Sequence, residues 1–261
     1  MTRFKLPTQV AQARWGDNTF RGYSVDRDLA GSARAWDAVA LAVGHHGLDS
    51  TDAAVLDDIV VCALAADPRI WPLKVVRLLS AYGHATTGTV AGIYCTEAAR
   101  VGWRAYFIAG ELLAELVGLP DQVSRRSAVE ARLARGQTIP GYGVAHRDHD
   151  ERATAFARCL RERGRTTRQH WMIAQEVDAL LAPKGIRINM GAAGAAAMLD
   201  LGFTLEQLLA LGPHLVLPNY LANAVEGAEQ APQILRTLPA EAIEDRTPPA
   251  RLSPRAQAKR K

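Results

Sequence analysis

Residues 139–152 read IPGYGVAHRDHDER, and this stretch decides the fold more than any other part of the chain. It opens on a proline and two glycines, which is typical of a rigid loop because Pro restricts φ and Gly adopts conformations that other residues avoid. A dense run of charged residues, His146 to Arg152, follows at once. No strand pattern precedes the loop, so it does not indicate a dinucleotide-binding turn.

Three further segments carry recognisable patterns, in a fixed order along the chain. Gly102–Tyr106 is a short segment that begins with glycine, and Glu111 follows it in a region with a helical pattern. Asn189–Gly202 is rich in Ala and Gly, which favours a helix that packs closely against its neighbours. Tyr220–Glu226 is a weaker match that ends on an acidic residue.

The order and spacing of these segments resemble the citrate synthase family, including its short citryl-CoA-lyase-like members, from about Gly22 to Ser253. Residues 139–152 resemble the family's Pro-Gly-Tyr/Phe-Gly-His motif leading into Asp-Pro-Arg, with one residue deleted. Asn189–Gly202 resembles the Asn-Val-Asp segment and the helix after it, and Gly102–Tyr106 resembles Gly-Pro-Leu-His-Gly. Tyr220–Glu226 is similar to Gly-x-x-Ala-His-x-x-Glu.

The resemblance implies an all-α protein with a large and a small helical domain. We expect the large domain to combine residues 1–110 and 205–261, and the small domain to span residues 111–204. The ligand cleft is expected between them, with closure of the small domain as the moving step. The resemblance also implies a homodimer with helices between Lys74 and Val117 at its centre.

The family's chemistry uses an Asp as general base and two His residues as acids and hydrogen-bond donors. Carried over to this chain, the first His falls on Ala105, the Asp on Gly191 and the second His on Val144. None of these side chains can exchange a proton, so the family mechanism cannot operate in its usual form. A further Asp-His pair of the family falls on Asp67-Pro68. The smaller, more apolar replacements predict a drier and wider pocket, which does not suit an unpaired dicarboxylate.

Some features of the family's site are retained. Arg152 matches the arginine that holds a substrate carboxylate, a role suited to its bidentate geometry. Asn189, which opens the Asn-Val-Asp segment, is a second candidate substrate-binding residue. The resemblance implies that the glycine loop lies against coenzyme A, through Gly141, Tyr142, Gly143 and Val144.

The charged run offers one replacement for the missing acid and base. His146 lies two residues beyond Val144, and the deletion allows the loop to be threaded so that His146 takes the vacant place. An imidazole can exchange a proton near neutral pH, and an acidic residue of the same run, Asp148, Asp150 or Glu151, would orient His146 and His149. We therefore take His146 as the candidate catalytic residue and His149 as a candidate substrate-binding residue. Such a run of alternating charges is also typical of a solvated surface.

Composition limits the class of protein. The chain has 261 residues, 48% of them hydrophobic and 22% charged, which is enough for one sizeable core, and Ala and Leu dominate. No period-two pattern runs over a useful length, so we predict essentially no sheet. No signal peptide or membrane-spanning stretch is evident, and we expect a cytoplasmic protein without membrane partners.

Local signals predict several turns and helix ends. Arg21-Gly22-Tyr23 is typical of a turn, Ser50–Asp52 is predicted to cap a helix, and a break between helices is expected near Tyr82-Gly83-His84. Gly88, Ala91 and Gly92 recur at helix-face spacing, so we expect backbones to approach closely there. The sequence from Asp121 to about Arg168 is strongly charged apart from the glycine loop. A short helix is predicted over Phe203–Leu211, with Thr204 as its cap.

The net charge of +4 is concentrated in the tail, residues 246–261, which is rich in Pro, Arg and Lys. Such a segment buries little apolar surface, so we expect it to be flexible, as a solubilising or partner-wrapping tail and not as a nucleic-acid-binding one. The three cysteines, Cys62, Cys95 and Cys159, are widely spaced. They fit neither a disulfide framework nor a zinc site, and no metal is expected.

Three functions remain open at this point. The first is an acyltransferase or lyase that makes or breaks a carbon–carbon bond on a CoA thioester, with non-standard catalytic residues. The second is an inactive homologue that forms a heterodimer with an active enzyme or regulates it. The third is a protein that binds CoA or acyl-CoA without chemistry. Fold similarity alone does not choose between them.

Overall fold

The computed structural model describes residues 7–65, 70–99, 101–144, 147–230 and 241 of the chain. Within these ranges, helices follow a short N-terminal sheet. The helices are α1 (Ala35–Ala42), α2 (Ser50–Ala63), α3 (Trp71–Tyr82), α4 (Ala85–Ala99), α5 (Trp103–Val117), α6 (Gln122–Ala134), α7 (Glu151–Glu162), α8 (Gln169–Leu181), α9 (Met190–Asp200) and α10 (Leu205–Glu229). The predicted all-α class is therefore confirmed.

The sheet is a local exception to that class. Its strands β1 (Ala11–Gln12), β2 (Thr19–Phe20) and β3 (Tyr23–Ser24) are antiparallel and only two residues long. Strands this short cannot show a period-two pattern, which is why the sequence did not predict them. The predicted turn at Arg21 and Gly22 is present, since both residues have positive φ and connect β2 to β3.

Helix α10 corrects the prediction of a short helix ending near Leu211. The predicted cap is right, because the Thr204 side chain accepts from the backbone N–H of Gln207. The helix nevertheless continues for 25 residues, through Pro213 and Pro218. Each proline removes one backbone hydrogen bond, but burial of side chains such as Leu215 against the core offsets that loss.

Two other helix predictions need correction. The cap of α2 is Asp49 and not a residue of the predicted Ser50–Asp52 segment, because the Asp49 carboxylate accepts from the backbone N–H of Asp52. Helix α6 lies in the strongly charged segment that begins at Asp121, where the sequence shows no clear helical pattern. Its one fully buried residue is Val129, so its sequence carries almost no apolar stripe.

Helix α9 is the centre of the core. Every residue from Met190 to Met198 is buried, and α9 packs against α5, α7 and α8. Its small residues permit close approach: a Cβ on Gly194 would lie 2.6 Å from Cε1 of Tyr106 on α5. The Ala- and Gly-rich composition therefore determines where α5 can sit.

Glycines also determine the contact between α3 and α4. A Cβ on Gly88 would lie 1.9 Å from Oγ of Ser80, and one on Gly92 would lie 2.2 Å from Cγ2 of Val76. The predicted close approach of backbones at these glycines is confirmed, and it occurs within one chain. The opposite side of α4 exposes Val90 and Tyr94.

No helix in the described ranges combines the length and hydropathy needed to cross a bilayer. The described residues also contain no cluster of three His, Cys, Asp or Glu side chains arranged to hold a metal ion. The three cysteines are free and half-buried. The tail from residue 246 and the Asp67-Pro68 pair lie outside the described residues.

A substitution in α10 tests how tightly this core is packed. Gly227→Ala places a Cβ 2.7 Å from Cα and 2.8 Å from the carbonyl oxygen of Arg77 on α3. Because the backbone of α3 must move, we expect a loss of about 1–3 kcal/mol in unfolding free energy, measured by urea denaturation. In an unconstrained helix the same change would add about 1 kcal/mol. Glu229→Ala, at an exposed position of α10, is the control, and equal stability of both variants would contradict the prediction.

Candidate active site

A cleft of about 450 Å³ lies beside the N-terminus of α9. Its walls come from α2, α5, α10, the glycine loop, the start of α7 and the start of α9. Among the described residues that line it are Ala63, Leu73, Gly102, Ala105, Tyr106, Gly143, Val144, Arg147, Asp150, Arg152, Asn189, Met190, Gly191, Val216, Asn219 and Tyr220. Segments separated by more than 150 residues in sequence therefore meet at one site.

The glycine loop is held in place by its neighbours before α9. Gly143 donates its N–H to the carbonyl of Arg187 at 2.7 Å, and Asn189 donates its N–H to the carbonyl of Gly141 at 2.9 Å. Gly141 and Gly143 both have φ of +85°, a conformation that favours glycine. At Gly141 there is also no room for a side chain, because a Cβ would lie 2.4 Å from Cβ of Ala192.

Tyr142 points away from the cleft. Its side chain is buried, and its hydroxyl donates to the carbonyl of Ala174 on α8 at 2.9 Å. Burial raises the pKa of Tyr142 well above its usual range. The part of the loop that lines the cleft is Gly143 and Val144, so any ligand there meets the loop through those two residues.

Asn189 joins the loop to α9. Its side-chain carbonyl accepts from the N–H of Gly191 at 2.8 Å and so caps α9, while its side-chain amide donates to the carbonyl of Gly143 at 2.8 Å. This residue lines the cleft. Its polar groups are thus engaged in holding the wall of the site.

Asp150 lies at the base of the cleft and joins two helices. Its side chain is almost fully buried; it accepts from the N–H of Arg152 at 3.2 Å, as the cap of α7, and from the N–H of Met190 at 2.9 Å, the first residue of α9. The Arg152 guanidinium completes the site, with Nε 2.8 Å and Nη2 2.9 Å from the two carboxylate oxygens. One carboxylate therefore anchors two helix N-termini and one cation.

Both members of this pair are held in their charged forms. Burial by itself would raise the pKa of Asp150, but the hydrogen bonds from Arg152 and Met190 outweigh it, and the pKa is lowered. The hydrogen bond from Arg152 to Asp150 raises the arginine pKa. The pair is therefore ionised, with no net charge, at neutral pH.

The three positions to which the resemblance assigns the family's catalytic residues all line the cleft. Ala105, Val144 and Gly191 contribute apolar surface there and no ionisable group. A Cβ on Gly191 would lie 3.4 Å from Cβ of Ala105 and 2.9 Å from Oδ1 of Asn189. A side chain at position 191 would therefore have to displace the Asn189 cap of α9.

The two candidate histidines differ in what the structure shows. His149 is exposed, in the bend before α7, and is not among the residues that line the cleft. His146 lies outside the described residues. Its role as the acid or base stays a prediction.

Three residues of the site were not singled out from the sequence as binding groups. Asp150 was considered only as an orienting partner of a histidine, although an Asp directly before an amphipathic helix is a cap signal. Tyr106 is buried beside the Asp150–Arg152 pair, and burial raises its pKa. Asn219 is buried on α10 and donates to the carbonyl of Leu64 at 2.5 Å. Nothing in the local sequence marks Tyr106 or Asn219, because only tertiary folding brings them to the cleft.

Comparison with known proteins identifies the fold. No protein-family model and no curated protein matches the chain. Among solved structures, citryl-CoA lyase from Hydrogenobacter thermophilus matches with a TM-score of 0.77 at 20% identity, covering 98% of this chain and 99% of the lyase. ATP citrate lyase from Methanothrix soehngenii, solved with citrate and coenzyme A, matches with a TM-score of 0.73 at 16% identity, covering 98% of this chain and 43% of that one.

Citrate synthase from the archaeon Thermoplasma acidophilum, solved with carboxymethyl-CoA and oxaloacetate, also matches. Its TM-score is 0.63 at 12% identity, and the match covers 86% of this chain and 60% of the synthase. The protein therefore belongs to the class of helical proteins with the citrate synthase-like fold. Within that class, its extent corresponds to the whole of the citryl-CoA lyase chain.

The buried carboxylate of Asp150 predicts how the stability of the fold depends on pH. Because the folded-state pKa of Asp150 lies below its unfolded value, its charge contributes stability that is fully present above the unfolded pKa, about 3.9. That stability is lost as pH falls through the lower, folded pKa. We expect Asp150→Asn to cost about 2 kcal/mol at pH 7, because it leaves the half-buried guanidinium of Arg152 without its counter-charge. The difference in unfolding free energy between the wild type and this variant, measured by urea denaturation, should become smaller below about pH 4.

Asp148→Asn, at an exposed position two residues away, is the matched control and should change stability by less than about 0.5 kcal/mol. A constant difference between Asp150→Asn and the wild type from pH 7 to pH 3 would show that the charge of Asp150 does not stabilise the fold.

Proposed function

We propose that this protein binds a coenzyme A thioester in the cleft beside α9 and makes or breaks a carbon–carbon bond on it, as a divergent synthase or citryl-CoA-lyase-type enzyme. The observation that carries the proposal is the glycine loop. Its backbone is pinned to Arg187 and Asn189 at one wall of the cleft, while Arg152 lies at the base. The solved structures of the same fold include one with coenzyme A and citrate. The conformation of the glycine loop thus depends on backbone contacts and not on the side chain of Val144.

The ligand contacts in this proposal differ from residue to residue. Gly143 and Val144 line the cleft, and we assign them to the thioester, with Gly141 and Tyr142 shaping the loop behind them. Arg152 has two nitrogens engaged by Asp150, and its third, Nη1, makes no hydrogen bond to a described residue. Nη1 is thus the donor available to a substrate oxygen. Asn189 acts mainly by holding the loop.

Catalysis in this proposal depends on His146, because Ala105, Val144 and Gly191 cannot exchange protons. His146 follows two residues after Val144, which lines the cleft. A general acid or base typically contributes about 10²–10⁴-fold to a rate. His149, which is exposed, is assigned at most to the entrance of the site, and no metal or other cofactor is invoked.

A second function, an inactive homologue that regulates or stabilises an active enzyme, is favoured by one specific observation. All three replaced catalytic positions line the cleft as apolar surface, and at Gly191 the Asn189 cap stands in the way of a side chain. Binding of a thioester without turnover, at a site unaffected by His146→Ala, would favour this function or that of a CoA carrier.

We also propose that the two domains expected from the sequence meet at this cleft. Its walls include Ala63, Tyr106 and Val216 from the segments assigned to the large domain, and Val144 and Arg152 from the segment 111–204 assigned to the small domain. We propose that the small domain closes over the ligand. Closure would exclude water from a site whose walls are largely apolar.

The proposed function is tested by calorimetric titration of CoA, acetyl-CoA and citrate into the purified protein. We expect acetyl-CoA to bind to the wild type, and His146→Ala to weaken binding and to reduce turnover by about 10²-fold or more. Turnover is followed as release of the free CoA thiol with 2-oxo acids, or as cleavage of citryl-CoA. His214→Ala, at an exposed position of α10, is the matched control.

Val144→Trp tests whether the thioester binds in the cleft. The indole would fill the space in front of the glycine loop, so binding should be lost while the thermal unfolding midpoint stays close to that of the wild type. If no CoA species binds to the wild-type protein, the enzyme and the CoA-carrier proposals both fail.

We also propose a homodimer formed through α4. Val90 and Tyr94 are one helical turn apart on α4, and their side chains are 61% and 82% exposed. Large apolar side chains in this arrangement are typical of a protein interface. We expect a dimer mass by light scattering for the wild type and a monomer mass for Tyr94→Arg. Val123→Arg, at an exposed apolar position of α6, is the control, and a dimer that survives Tyr94→Arg would rule out this face.

A further inference from the structure

The described surface of the cleft is mostly apolar. Side chains of α2, α3, α5, α9 and α10 contribute hydrocarbon to it, and the replaced positions extend this surface to the glycine loop. The apolar residues are Ala63, Ala65, Ile70, Leu73, Val101, Ala105, Val144, Met190 and Val216. A ligand group that fills this space gains free energy by burying hydrocarbon and loses it by burying an unpaired charge.

The charged side chains that line the cleft occur in pairs of opposite sign. Arg152 is neutralised by the carboxylate of Asp150 through two hydrogen bonds of 2.8 and 2.9 Å. Arg147 lies 3.1 Å from the carboxylate of Glu151. An anionic ligand group that approached Arg152 would also approach the buried anion Asp150. The attraction to one is therefore largely offset by the repulsion from the other.

At the N-termini of α7 and α9, side chains accept from the backbone N–H groups that lie nearest the Asp150–Arg152 pair. At α9, the N–H of Met190 donates to Asp150 and the N–H of Gly191 donates to Asn189. At α7, the N–H of Arg152 donates to Asp150. Free N–H groups at a helix N-terminus are a common site for anions, and these three groups are engaged within the chain.

We infer that the part of the ligand that occupies this cleft beyond the thioester sulfur is an uncharged acyl chain and not a di- or tricarboxylate. The inference rests on the proposed binding of a CoA thioester and narrows its substrate class: of the thioesters named above it favours acetyl-CoA and longer uncharged acyl-CoAs over citryl-CoA, whose acyl group is a tricarboxylate. The walls bury the hydrocarbon of the chain, and Nη1 of Arg152 donates one hydrogen bond to a carbonyl oxygen without a net charge having to be matched. A terminal carboxylate at the same place would lack a counter-charge among the described residues.

Two thioesters test this inference, because they differ only at the end of the acyl chain. Butyryl-CoA ends in a methyl group where succinyl-CoA ends in a carboxylate, and both have four acyl carbons. We expect calorimetric titration of the wild-type protein at neutral pH to give a Kd for butyryl-CoA that is at least about tenfold lower, since burying an unpaired carboxylate costs more than the corresponding 1.4 kcal/mol. Equal affinity, or tighter binding of succinyl-CoA, would overturn the inference and leave the proposed function standing. Binding of neither thioester would overturn both.

A cation placed in the cleft should reverse the preference. Val144→Lys introduces a positive charge on the wall that is apolar in the wild type. We expect it to raise the affinity for succinyl-CoA about tenfold and to lower the affinity for butyryl-CoA. The Kd for succinyl-CoA should then be equal to or lower than the Kd for butyryl-CoA. Val123→Lys, which adds the same charge at an exposed position of α6, is the control and should keep the wild-type preference. A ratio that is the same in Val144→Lys and in the wild type would show that the acyl chain does not lie against this wall.

Discussion

The buried carboxylate of Asp150 is the constraint on which the rest of the site depends. It caps α7, accepts from the first N–H of α9 and holds the guanidinium of Arg152. A buried carboxylate is costly unless its oxygens are satisfied, and here four donor groups from two helices satisfy them. The positions of α7 and α9 are therefore coupled through one side chain, and Asn189 joins α9 to the glycine loop. These contacts keep three walls of the cleft in place.

The structure of the glycine loop does not depend on the residue types that face the cleft. The loop is held by backbone hydrogen bonds, and such bonds do not depend on the side chains at Val144 or Gly191. Apolar residues at these positions are therefore compatible with an ordered loop, and the surface that they form favours hydrocarbon over charge. The pairing of Arg152 with Asp150 acts in the same direction, since it leaves a hydrogen-bond donor without a net positive charge. These features together underlie the proposal of an acyl-CoA ligand whose acyl group is uncharged.

Much of the fold was predictable from the sequence because the relevant signals are local. The Thr204 cap, the turn at Arg21 and Gly22, and the break between α3 and α4 each depend on a few adjacent residues. The predictions that were wrong depend on distant contacts. The length of α10 was underestimated because packing against the core compensates for Pro213 and Pro218, and α6 was missed because its charged sequence shows almost no buried face.

For the candidate site, the sequence by itself determined the residue types: a glycine loop, an arginine, an asparagine that opens a helix, and apolar residues where the resembling family has acids and bases. It determined these because residue identity and short-range order are enough to fix loop conformation, helix caps and the presence or absence of a proton-exchanging group. Only the tertiary structure decided that Tyr142 faces the core, that Asp150 neutralises Arg152, and that Tyr106 and Asn219 reach the cleft. Those outcomes depend on contacts between helices far apart in sequence, where burial and the pairing of charges, and not local pattern, determine which side chain meets which.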